Sequence, residues 1–131
     1  MIRRSRLWPA CIALLLVMLL GCAFRQPVRL TSGKVVDVVG LHWQLILMTG
    51  HPAKRVYTIT YVTKLPIEPE ALRPEAEEVW QHFEPTIGQN IDIVVIQPIT
   101  EPTGFLVKRY RGYNFAHVRA STGWSEPRRA P

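Results

Sequence analysis

Three kinds of hydrophobic pattern follow one another along the chain. Residues 10–20, "ACIALLLVMLL", form an unbroken apolar run near the N-terminus. Residues 33–65 then switch to short stretches rich in Val and aromatics, separated by turn residues. "GKVVDVVG" (33–40) is bounded by glycines and predicts a strand. "LHWQLILM" (41–48) predicts another, with Trp43, Leu45 and Leu47 on one face and His42, Gln44, Ile46 and Met48 on the other. Gly50 and Pro52 break the chain after it. "RVYTITYVTKL" (55–65) is the clearest strand, with Tyr57, Ile59 and Tyr61 opposite Val56, Thr58, Thr60 and Val62. β-Branched and aromatic side chains suit such a pleated surface.

The period changes after residue 65. Leu72, Ala76, Val79, Trp80 and Phe83 recur at helical spacing and predict a helix over 72–84. Pro74 fits best in its first turn, which puts Glu75, Glu77 and Glu78 at the positive end of the dipole. "NIDIVVIQP" (90–98) is nearly all apolar and predicts a central strand. Residues 102–120 predict a hairpin turning at Arg111-Gly112. Strands before and after one helix give an α+β fold. The expected sheet is mainly antiparallel, of about five to six strands, with one amphipathic helix packed on one face. A helix of about 13 residues spans roughly 20 Å and covers one face only. Yet Ile91, Ile93 and Val95 oppose Val94 and Ile96, and Leu45 and Leu47 oppose Ile46 and Met48. The second face therefore needs a cover: the curling sheet, the tail, a second copy of the chain or another protein.

The apolar run is about 11 residues long, short of the roughly 20 that a spanning helix needs. Arg3, Arg4 and Arg6 precede it without an acid. A basic segment followed by such a run is the pattern of a secretory signal. The flanks of Arg3-Arg4 suit the general secretory route better than a twin-arginine route. Leu19-Leu20-Gly21-Cys22 closes the run. It resembles the lipobox of bacterial lipoproteins, with Leu at −3, Gly at −1 and Cys at +1. The resemblance covers residues 1–22. It implies cleavage between Gly21 and Cys22, a diacylglycerol on the Cys22 thiol and acylation of the new amine. Two or three acyl chains make a stable anchor where one is marginal. It also implies, from Ala23 where an inner-membrane retention signal would have Asp, an outer-membrane protein facing the periplasm. The chain then divides into a signal peptide (1–21), a lipidated Cys and short tether (22–27), an α+β domain (28–120) and a flexible polar tail (121–131). A tether this short keeps the domain near the bilayer, with Arg25 and Arg29 close to the head groups.

Processing alters the charge. The whole chain carries 16 Lys and Arg against 10 acids, a net +6. Losing three arginines with the signal leaves about +3, which is weak support for nucleic acid, and none is expected as a partner. Anionic head groups are the better match for a basic patch. Cys11 leaves with the signal and Cys22 is lipidated, so no thiol remains for a disulfide or a thiolate metal site. His42, His51, His82 and His117 have no metal-ligand spacing among themselves, although Glu78 and His82 share a helix face at i,i+4. Ser32, Ser121 and Ser125 lack a nucleophile-elbow context, and there is no glycine-rich phosphate loop. No catalytic residue, metal or cofactor is expected. "KRYRGYNF" (108–115) interleaves Lys108, Arg109 and Arg111 with Tyr110, Tyr113 and Phe115. Lys108, Arg109, Tyr110, Arg111 and Tyr113 form a candidate binding hairpin for a phosphate, a sugar face or a carboxylate.

The expectation is a membrane-anchored protein of the cell envelope that works by binding or assembly. One alternative is a module that binds head groups or cell-wall components through the basic-aromatic hairpin. Another is a small hydrolase or metalloenzyme. Cys22→Ser is expected to abolish incorporation of labelled fatty acid and to leave an unprocessed precursor. A processed, labelled Cys22→Ser protein in the membrane fraction would overturn the assignment of Cys22.

Overall fold

The computed structural model describes residues 24–126. Residues 1–23, with the expected signal peptide, Gly21 and Cys22, lie outside the described residues, as do residues 127–131. Six strands form one sheet in sequence order: β1 (Gln26–Arg29), β2 (Val35–Ile46), β3 (Lys54–Val62), β4 (Ile93–Ile99), β5 (Phe115–Ala120) and β6 (Gly123–Ser125). All neighbours are antiparallel except β3 and β4, which run parallel. A parallel pair needs a crossover. The helix α1 (Pro69–Phe83) supplies it, followed by a 3-10 turn at Glu84–Thr86. The fold is α+β and sheet-dominated, and the sheet curls into a half-barrel. Among the described residues no helix is long and apolar enough to cross a membrane.

Residues 33–40 and 41–48, expected as two strands, are one. Gly40 does not end β2; it follows a β-bulge. Val38 pairs with Tyr61 and Gly40 with Thr60, so Val39 is the extra residue. A bulge bends its strand and strengthens the local twist. A Cβ on Gly40 would lie 3.4 Å from Thr60 Cβ, so the glycine lets the two strands close up where the sheet bends. Beyond the bulge β2 runs on as the outer strand beside β3, and only past the Gln44–Val56 pair, where β4 stops, do the two project as a two-stranded arm.

The helix begins at Pro69, three residues before the expected start. Pro69 rather than Pro74 takes the first turn, and the first helical bond runs from Leu72 N–H to the Glu68 carbonyl at 3.0 Å. Pro74 sits inside the helix. It cannot donate to the carbonyl of Glu70, a residue exposed to water that can satisfy it. The stripe of Leu72, Ala76, Val79 and Trp80 is buried as its spacing implies, and Phe83 packs half-buried at its end. Opposite the stripe lie Val38, Ile59, Tyr61, Val94, Ile96 and Phe115. Burying such side chains contributes about 1.5–3 kcal/mol each before entropy is counted.

The helix acids do not serve the dipole as expected. Glu75 is buried and pairs with Lys34 in the turn between β1 and β2. Glu78 accepts from Ser32 N–H at 3.1 Å and from the Thr31 hydroxyl at 3.4 Å. These bonds, from Ser32 first, hold the Glu78 carboxyl below its usual range. The β1–β2 turn is thereby stitched to the helix at two points. The Tyr61 hydroxyl faces Glu75 from the sheet. Burial, then the neighbouring carboxylate, pushes the phenol strongly upward, so it stays protonated. Among the described residues neither this hydroxyl nor Glu75 Oε1 finds a partner of good geometry.

The expected turn at Arg111-Gly112 is not there. The chain leaves β4, folds back at Gly104–Lys108 and returns, with bridges Thr103 to Arg109 and Ile99 to Gly112. Gly112 instead lies on β4: a Cβ there would come 2.9 Å from Ile99 Cγ2 and 3.1 Å from the Pro98 carbonyl. Residues 121–126 also depart from the expected tail. Gly123–Ser125 pairs with β5, and Trp124 meets Trp80 edge to face at 5.2 Å.

Glu75 is the buried member of its pair, while Lys34 can turn to water. Lys34→Met strands a carboxylate in the core and is expected to cost about 3 kcal/mol. Glu75→Gln leaves no stranded charge and is expected to cost about 1 kcal/mol. Urea unfolding of both variants checks the order. Equal losses would mean the carboxylate reaches water without Lys34.

Candidate functional site

Three places on the domain carry chemistry or unsatisfied surface. The first is the arm beyond the β2 bulge. β1 covers only Val35–Val38, and β4 reaches only to Val56 on β3. The outer edge of β2 from Gly40 to Ile46 therefore has no neighbouring strand among the described residues. The expected alternation holds here, but neither face is buried. Trp43 is 66% exposed and Leu47 74%, and Leu45, Ile46 and Met48 are exposed with them. Trp43 also borders an open cleft of about 410 Å³ with Arg55, Tyr57, Ile87 and Ile91. A long, apolar, unpaired edge is a template for another strand.

The second place is the loop hairpin after β4. Lys108, Arg109, Tyr110 and Arg111 are exposed, as expected of a binding hairpin. Tyr113 is not part of that surface. It packs against the core, its ring 4.9 Å from that of buried Phe115, with its N–H bonded to the Pro98 carbonyl. Alternation from Phe115, whose face belongs to the helix, carries Tyr113 inward. The hairpin folds over the face of the sheet opposite the helix and completes a cleft of about 390 Å³ with Thr60, Gln97 and His42. Thr60 donates to Gln97 Oε1 at 2.9 Å on its floor. Phe24 and Arg25 close its rim. Arg25 is paired within the domain: it bonds Asp37 at 3.3 Å and Glu101 at 2.6 Å. Part of the second face thus has its cover from within the chain.

The tip of this hairpin escaped the sequence reading. "FLV" at 105–107 looked like strand, yet Phe105 is 94% and Leu106 90% exposed. Gly104 has φ +110°, and a Cβ there would collide with the Val107 carbonyl. That glycine, followed by apolar residues and then Lys108-Arg109, was the available signal.

The third place is on β5. Glu78 and His82, the expected helix pair, diverge: Glu78 holds the β1–β2 turn and His82 lies exposed, edge-on to Phe83 at 5.0 Å. Instead Glu77, His117 and Glu126 bring ligand-type atoms within 4.8 Å of one another. Glu126 is also held by Arg73 at 2.8 Å. The His117 ring stacks on Trp80 at 4.2 Å, nearly parallel. His51 stays in its exposed turn.

Burial is the largest influence on His117 and lowers its pKa, against the opposing pull of Glu77, Glu126 and Glu84. A folded value below the unfolded 6.5 means that the unfolded chain takes up the proton first. The stabilisation is complete above 6.5 and is lost as pH falls below it toward the folded value. His117→Phe keeps an aromatic ring on Trp80 and removes the titration. Its unfolding midpoint is expected to fall less than that of the wild type between pH 7 and pH 5.5. Parallel pH profiles would show that His117 is not the group that titrates.

Compared with protein-family models, with curated proteins and with solved structures, the chain matches none.

Proposed function

We propose that this is a lipid-anchored protein of the bacterial cell envelope that works without catalysis, by assembling with a protein partner through the β2–β3 arm. The anchor rests on the lipobox-like run at Leu19–Cys22. The assembly role rests on one observation: the edge of β2 from Gly40 to Ile46 is unpaired among the described residues and carries exposed Trp43 and Leu45. Strand addition supplies main-chain hydrogen bonds, and alternate side chains supply selectivity. A large exposed Trp is the residue type most often found at the energetic centre of an interface. The partner is a second copy of the chain or another envelope protein offering an apolar strand.

Sedimentation equilibrium of the full chain in detergent is expected to show self-association that Trp43→Lys weakens on the order of tenfold. If the partner is another protein, a photo-crosslinker replacing Leu45 is expected to give a discrete adduct in cells, and one replacing Gln81 on α1 is not. A chain that is monomeric in detergent and gives no adduct from position 45 would overturn the assembly role.

A further inference from the structure

We propose that the Phe105–Val107 tip of the hairpin is a second membrane contact, which enters the bilayer interface beside the lipid anchor. The inference rests on the reading of Cys22 as the anchor. Three observations carry it.

The first is the tip itself. Phe105, Leu106 and Val107 are consecutive, apolar and exposed, Val107 at 69%. Gly104 forces them outward in a tight bend, and the Thr103–Arg109 bridge closes the base. Three large apolar side chains held at the end of a hairpin gain nothing from water, whereas the headgroup and acyl boundary would bury them.

The second is the ring of charge behind the tip. Lys108, Arg109 and Arg111 are exposed and follow it directly. Apolar residues in front of basic ones match the layering of an anionic bilayer surface, where the side chains enter and the cations stay among the phosphates.

The third is where the chain enters the domain. Arg25 bonds Glu101, at the root of the same hairpin, and Phe24 lines the same cleft as Lys108 and Tyr110. Cys22 is three residues before Arg25, and consecutive Cα atoms are about 3.8 Å apart. Chain length alone keeps the anchor within roughly 11 Å of Arg25, whose side chain reaches the root of the hairpin. Exposed Phe24 adds to the same surface. With a contact at the tip as well as the anchor, the domain has a fixed orientation on the membrane and does not swing on its tether.

The full chain carrying Cys11→Ala and Leu106→Cys is expressed with labelled fatty acid and purified in detergent. It is labelled with an environment-sensitive fluorophore and reconstituted into vesicles of phosphatidylethanolamine and phosphatidylglycerol. The label at Leu106→Cys is expected to shift to the blue and to be quenched by spin-labelled acyl chains. The same label at Gln81→Cys stays in water. Replacing the anionic lipid by phosphatidylcholine is expected to reduce the quenching at position 106, and unchanged quenching would overturn the role given to Lys108, Arg109 and Arg111. A water-exposed label at position 106 on a chain that carries fatty acid would overturn the tip contact and leave the anchor standing. On a chain that takes up no fatty acid the Cys22 thiol would be labelled too, so the measurement is repeated with Cys22→Ala added, and quenching at 106 there would support the tip and overturn the anchor. A water-exposed label with no fatty acid would overturn both.

Discussion

The parallel pairing of β3 with β4 is the constraint from which the rest of the domain follows. A chain that leaves the end of one strand must travel the length of the sheet before it can start a parallel neighbour. Helix α1 makes that return, which fixes the face it covers and buries Leu72, Ala76, Val79 and Trp80 over β3, β4 and β5. The same geometry decides what is left uncovered. β4 begins opposite Val56, and the strands beyond, from Leu45 to Arg55, project as an arm.

Polar contacts then fix the helix against the β1–β2 turn. Glu75 with Lys34, and Glu78 with Ser32 and Thr31, tie one side of α1 to a turn that apolar packing alone would leave to slide. Directional bonds set register where hydrophobic contacts do not. A buried carboxylate is a costly way to do so, and the unsatisfied Tyr61 hydroxyl beside it adds to that cost. On the opposite side, Trp80 lies between the His117 ring and the edge of Trp124, so the last short strand is held by aromatic contact as well as by pairing.

Periodicity made the helix, β3 and β4 legible, because each is long enough for its pattern to repeat. What it could not supply was the meaning of single glycines. Gly40, Gly104 and Gly112 look alike in sequence. One follows a bulge, one turns a hairpin with φ +110°, and one lets the chain pass over Ile99. Reading Gly40 as a stop split β2, and reading Gly112 as the turn moved the hairpin tip by several residues. The helix start was misplaced because two prolines compete for the first turn and only tertiary packing chooses Pro69. The Glu77, His117 and Glu126 group joins helix, strand and C-terminal segment, residues too far apart in sequence for spacing to reveal. Of the candidate hairpin, the charged members were visible from composition, while the inward turn of Tyr113 followed from a strand register that the sequence does not print.

The outermost strands are short. β1 has four residues including Pro27, and β6 has three. Proline and brevity both blunt an edge against addition. Along this sheet, among the described residues, that leaves the far half of β2 as the place where a foreign strand can dock. If the guest is another copy of the same arm, antiparallel pairing uses the same edge on both molecules and returns each to the other. Such an isologous contact closes at two copies. For a homodimer of that kind, the blunt ends would set the topology of growth: strand addition would stop at a pair and not propagate into a fibre.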